Sequence, residues 1–338
     1  LYGDLAAGTG RVLHSPPVTH PGDHISTAAV GHATDWFART LAGGTPRPAS
    51  DQIWMWKELG TGLAFLGVVV LLLGVFDLLL AARPFAALRG SPAPVRETRG
   101  GRWWALLLLT ALVPAVTFFL LPINSPPLKP SALFPQAITN SLVIWALGNT
   151  ALALLIGLAL GRPGPSFQIR WAPSALIAVA SVAVAYVLVW AASLVQVDFR
   201  FWVMALKPLS AHQAMAALAY LPAFAAFLLV AFRGVAGLMV RNQGRASQYL
   251  IAIAALASGF LLLTGLQYAV LFATGALPVP ALALSVIVAI QFVPLLTALA
   301  VIAVYTWGRT NSYVPGALLS ALFVTWYMVA GTATHVST

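Results

Sequence analysis

From about residue 59 onward the chain is a succession of apolar runs, most of them 20 residues or longer, separated by short segments that hold most of the charge outside the first 58 residues. A helix rises ~1.5 Å per residue, so crossing ~30 Å of hydrocarbon takes roughly 20 residues. Runs this long and this poor in charge are compatible with lipid and not with water. The pattern predicts eight membrane-spanning helices, over 59–82, 103–121, 137–160, 172–195, 211–232, 248–274, 279–307 and 313–330. Pro114, Pro222 and Pro294 fall inside three of them and predict bends, because proline removes one rung of the helical hydrogen-bond ladder.

Residues 1–58 follow a different pattern. They hold four of the six His and five of the eight acids. Residues 1–7 read as a helix end and 11–15 as a short strand, followed by a Pro- and Gly-rich loop over 16–24. Ser26 or Thr27 is suited to cap a helix running to about Leu41, which places Val30, Ala33, Phe37 and Leu41 on one face. Residues 43–48 read as a linker. The expected organisation is a soluble segment over 1–48, then an all-α polytopic membrane domain over 49–338.

Composition supports this division. The 338 residues are 60% hydrophobic and 8% charged, with mean hydropathy +0.90, whereas a soluble domain carries about 25% charged residues. The net charge of +10 could suggest nucleic acid. The basic residues are instead mostly Arg in the turns between apolar runs, which is a topology signal, so no nucleic-acid partner is expected. The sequence has no Cys, which excludes disulfides, Cys-based zinc sites and thiol nucleophiles. It begins at Leu1 with neither Met nor a signal peptide, and so reads as a fragment, a processed product or an incomplete gene model.

The turns also give an orientation. Arg83, Arg89, Arg96, Arg99, Arg102, Arg162, Arg170, Arg233, Arg241, Arg245 and Arg309 lie in one alternating set of loops, and only Lys129, Arg200 and Lys207 in the other. Eleven against three predicts that the Arg-rich set is cytoplasmic and both termini are outside. Of the outer loops, 121–130 is proline-rich and 198–208 is aromatic and basic. Both read as interfacial connectors, the second with its rings at headgroup depth, although either could support a soluble domain above the membrane. No internal repeat suggests an inverted-repeat transporter.

Residues 10–26, which include Pro21-Gly22-Asp23-His24, together with the helix ending Asp35-Trp36-Phe37-Ala38-Arg39-Thr40-Leu41, resemble the C-terminal end of an α/β-hydrolase domain. The joined arrangement resembles bacterial membrane-anchored hydrolases, in which a dienelactone-hydrolase-like domain precedes a polytopic membrane region. The resemblance covers about an eighth of the chain. It implies that a last strand and helix of that fold precede the membrane helices, and that His24 is the catalytic base of a serine hydrolase acting on ester, lactone or amide bonds without a cofactor. His20 is the second candidate, with a hydrogen-bonding loop residue as its structural alternative, and His14 and His32 read as structural residues, one on a strand and the other on a helix face. The chain departs from the family in having no Gly-x-Ser-x-Gly nucleophile elbow. The serine, the oxyanion hole and the triad acid would lie before Leu1, so this chain alone is expected to be inactive. Asp4 reads as part of the preceding helix, and Asp23 as pointing away from His24. No metal site is expected: Pro21 and Gly22 prevent His20 and His24 from sharing a helix face.

Within the spans, Asp77 is the one acid, expected to snorkel or to pair near Arg83. Asn140, Asn149, Gln267 and Gln291 are expected to hydrogen-bond between helices. The expected partners are the lipid bilayer and the missing part of the hydrolase, in a bacterial inner or plasma membrane. An alternative is a transporter or lipid-handling protein with a polar midplane cavity lined by Asn149, Gln267 or Gln291.

Overall fold

The computed structural model describes residues 1–45, 47–93, 96–121, 123, 127–160 and 167–332. Arg162, part of the loop charge count, lies outside the described residues, as do Pro46 of the linker and Pro122 and 124–126 of the proline-rich loop. The chain divides into two compact units. One comprises Leu1–Phe65 with Phe199–Ala205, and the other Leu66–Asp198 with Leu206–Thr338.

Among the described residues eight helices are long and apolar enough to cross a membrane: α2 (Trp54–Ala81), α3 (Gly101–Leu120), α4 (Ala137–Ala159), α5 (Trp171–Leu194), α6 (Ala211–Ala236), α7 (Arg245–Thr274), α8 (Ala283–Thr310) and α9 (Val314–Gly331). They lie where the apolar runs predict them, and the chain is an integral membrane protein of all-α polytopic type. A 3-10 turn over Pro280–Leu282 takes up the start of the seventh run. Pro114, Pro222 and Pro294 are all accommodated inside continuous helices.

Within the second unit α9 is the core element. It is the shortest of these helices and 83% of its most apolar stretch is buried, against 22% for α3, which therefore turns most of its surface outward. α9 packs on α5, α6 and α8, while α7 packs on α3 and α8 and α4 packs on α6. Phe118, Phe260 and Phe292 join α3, α7 and α8 in an aromatic cluster with ring centroids 5.0–5.5 Å apart, and Trp145 of α4 lies 5.9 Å from Phe292. Edge-to-face and tilted contacts at such distances are favourable beyond the area they bury. Small residues bring backbones together: a Cβ on Gly259 of α7 would lie 1.9 Å from the Ala111 carbonyl oxygen of α3.

The loops of this unit join in two separate groups. In one, Arg96 donates from its backbone to Met239 O and from Nε to Gly237 O, both across 3.0–3.2 Å. Gly90 N–H donates to Arg309 O, Ala93 N–H to Asn311 Oδ1 and Gln168 N–H to Asn311 O, and Arg241 pairs with Glu97 at 2.7 Å. Burial, and then the neighbouring Arg102 charge, lower the Arg96 pKa, yet a guanidinium stays charged under any ordinary condition. In the other group Gln136 Nε2 donates to Val329 O and Thr332 O, Gln213 Nε2 to Val329 O and the Trp326 indole to Lys207 O. Each group joins only loops that eight successive crossings would place on the same side.

The first unit departs more from expectation. Residues 1–11 are not a helix end followed by a strand. They form a closed turn in which Tyr2 and Arg11 exchange two backbone hydrogen bonds of 2.7 Å. A seven-residue piece is too short to sustain a helix, and among the described residues 12–15 have no neighbouring strand to satisfy their backbone groups. Asp4, expected in that helix, sits in the turn and accepts the Ala6 N–H. α1 (Thr27–Thr40) forms as expected, with Ser26 Oγ accepting from Ala29 N–H. Its apolar face is uncovered, Phe37 being 55% and Leu41 66% exposed. The aromatic outer loop is a β-hairpin, β1 (Phe199–Phe201) and β2 (Met204–Leu206), with a two-residue turn at Trp202-Val203.

Candidate functional site

His24 sits in a 3-10 helix, His20–Ile25, immediately before the cap of α1. Pro21 at its start fixes the backbone entry, and the Asp23 carboxylate accepts the His24 backbone N–H at 3.0 Å. The same carboxylate lies 3.5 Å from Nδ1 of both His24 and His20. The expectation that Asp23 points away from His24 is therefore corrected: the tight turn folds the carboxylate back between the two rings. At 3.5 Å neither contact is a strong hydrogen bond. With Nδ1 toward Asp23, the Nε2 of a half-exposed His24 is the nitrogen left to accept a proton from a nucleophile. His20 is more exposed still. His14 and His32 stack on one another with ring centroids 3.9 Å apart. Among the described residues no three His, Asp or Glu side chains gather as a metal site would need.

The hairpin supports this turn. The Trp202 indole N–H donates to the Pro21 carbonyl. Glu58 at the start of α2 accepts the Trp202 backbone N–H at 2.8 Å and the Lys57 ammonium at 3.1 Å, and Lys57 Nζ also donates to Arg200 O. Gly62 leaves room for the Phe201 ring, which a Cβ there would approach to 2.9 Å. The loop read as an interfacial connector thus holds the His24 turn. Two aromatic residues flanking Arg200 in alternation were the available signal for a strand.

In the second unit Asp77 pairs with Arg309 rather than Arg83. Its carboxylate meets Arg309 Nε at 2.5 Å and accepts the Tyr305 hydroxyl at 2.5 Å, and the guanidinium lies over the Tyr305 ring at 3.4 Å. Asn140 accepts from Tyr220 Oη at 2.7 Å, Asn149 bonds Thr117, and Gln291 accepts from Tyr327 Oη. These three bond between helices as expected, whereas Gln267 donates to Leu263 O within its own helix. A cavity of about 230 Å³ lies among α3, α4 and α6, with Asn149 in its wall and neither Gln267 nor Gln291. Its lining is mostly apolar.

Comparison with known protein families, with curated proteins and with solved structures finds no match to this chain.

Proposed function

We propose that this chain is the membrane-anchoring region of an extracytoplasmic serine hydrolase, and that it contributes the His-bearing end of the catalytic domain. The observation that carries the reading is the His24 turn. It presents a half-exposed imidazole beside a carboxylate, and the Trp202 indole bonds the Pro21 carbonyl of the same turn. A general base must be accessible and must be aimed, and this turn meets both conditions. The uncovered apolar side of α1, with Phe37 and Leu41 exposed, fits a helix that packs on a sheet supplied by preceding residues. The Arg-rich loops, taken as cytoplasmic, leave this turn on the outer side. Ester, lactone or amide bonds are the substrate class that the triad chemistry serves. The nucleophile lies outside these 338 residues, since the sequence contains no elbow serine.

A fluorophosphonate probe on membranes expressing the gene's complete product tests this reading. Labelling of a serine preceding Leu1, lost in His24→Ala and retained in His20→Ala, is the expected result. A reading frame with no Gly-x-Ser-x-Gly before Leu1, or labelling indifferent to His24, overturns it.

A further inference from the structure

We infer that the cavity among α3, α4 and α6 binds one anionic phospholipid, its phosphate at Arg233 and an acyl chain inside. The cavity of about 230 Å³ is walled by apolar side chains such as Leu109, Val113, Leu154 and Phe227, and Arg233 stands at one end. Its deepest polar groups ask for nothing. Asn149 Nδ2 donates to Thr117 Oγ1 and to the Trp145 carbonyl, both at 2.9 Å, and the Trp145 indole donates to Pro114 O. With those groups satisfied, the interior suits an alkyl chain better than a polar solute. Thr110, two to three turns into α3, also lines it, and its hydroxyl makes no hydrogen bond among the described residues. That donor lies deeper than Arg233, where a glycerol ester carbonyl would follow a phosphate.

Charge selects the head group. Asp77 and Glu97 are the two acids on the side of the Arg-rich loops, and they are already engaged by Arg309 and Arg241. Arg233 is exposed and its guanidinium has no ion pair or hydrogen bond among the described residues. A cation at the rim of an apolar cleft between membrane helices calls for an anion attached to an apolar body. Space is left for it: Gly157 and Gly234 line the same cavity, and nothing lies within 4 Å of where their Cβ atoms would be. This site is separate from the His24 turn, so either assignment can fail without the other.

The test uses nanodiscs of phosphatidylcholine containing a minority of phosphatidylglycerol with a diazirine on its acyl chain. Expected are crosslinks on cavity residues of α4 and α6, and a preference for phosphatidylglycerol that falls about fivefold in Arg233→Gln, the effect of one Arg near an anionic surface. Arg245→Gln, an equal loss of charge away from the cavity, should leave the preference intact. Gly157→Leu, which fills the space with a better helix former, should remove the crosslinks while the protein stays folded. Equal retention of both lipids, crosslinks unaffected by Gly157→Leu, or displacement of the lipid by inorganic phosphate alone would each overturn the proposal. The last would mark a phosphate site rather than a lipid site.

Discussion

The indole N–H of Trp202 donates to the carbonyl of Pro21, tying a hairpin between α5 and α6 to the turn that carries His24. Trp202 adopts φ +49°, in the left-handed region, at the first position of a two-residue hairpin turn where glycine is favoured. A bulky residue held there costs on the order of 1–2 kcal/mol. The indole bond gives a reason for tryptophan at this position despite that cost.

Trp202→Phe keeps an aromatic ring and removes the donor. The Pro21 carbonyl then loses a partner worth about 1 kcal/mol. Amide exchange at Gly22, Asp23 and His24 should accelerate about fivefold, with exchange in α9 unchanged. Unaltered protection of the His24 turn would mean that the hairpin does not hold it.

A second prediction concerns the Asp77–Arg309 pair, which is about one-third exposed on both sides. Its worth falls between the small value of an exposed pair and the several kcal/mol lost when a buried pair is broken. Asp77→Asn should destabilise the protein by about 1–2 kcal/mol on that interpolation, measured by SDS-induced unfolding in mixed micelles. Arg309→Gln in the Asp77→Asn background should cost less than Arg309→Gln alone, because the interaction has already been lost. Purely additive effects would show that the pair contributes no coupling.

How much of this was legible in the sequence depended on the range of the interactions. The membrane helices were, because the bilayer sets their length and composition residue by residue, and α3, α4, α5 and α9 begin and end within two residues of where the apolar runs do. Asp77 could be recognised as needing a partner. Its partners could not be named, since Tyr305 lies 228 residues away and only the fold brings the two side chains together. The segment 1–15 differs from its local pattern for a related reason. Its local preferences suggest helix and strand, but a strand exists only with a neighbour, and the described residues provide none beyond the Tyr2–Arg11 bridge. The His24 loop was visible through its Pro-Gly-Asp spacing, while the support from Trp202 was not, being long-range.

Gly259 provides a direct test of close packing in the bundle. A Cβ there would sit 1.9 Å from the Ala111 carbonyl oxygen and 3.0 Å from the Ala115 Cβ, both on α3. Backbone cannot rotate away as a side chain can, so α3 must shift from α7 and disturb the Phe118–Phe260 contact. Gly259→Ala should therefore destabilise by about 1–3 kcal/mol, the range for overpacked cores. Gly265→Ala on the same helix meets nothing within 4 Å and should be neutral or slightly stabilising, since alanine favours helix by about 1 kcal/mol. Equal thermal stability of the two variants would show that the close α3–α7 approach is not maintained in the membrane.

The absence of Cys makes orientation measurable without first removing native thiols. Ser91 lies in the Arg-rich loop preceding α3 and Ala132 in the loop preceding α4, and both are exposed. The Arg asymmetry places the first inside the cell and the second outside. In intact cells a membrane-impermeant maleimide should label Ala132→Cys and spare Ser91→Cys, and permeabilisation should expose both. The reverse pattern would put the His24 turn in the cytoplasm and remove the extracytoplasmic part of the hydrolase proposal. Labelling of both sites in intact cells would show that α3 does not cross the bilayer, contradicting the alternation with which the two separate groups of loop hydrogen bonds agree.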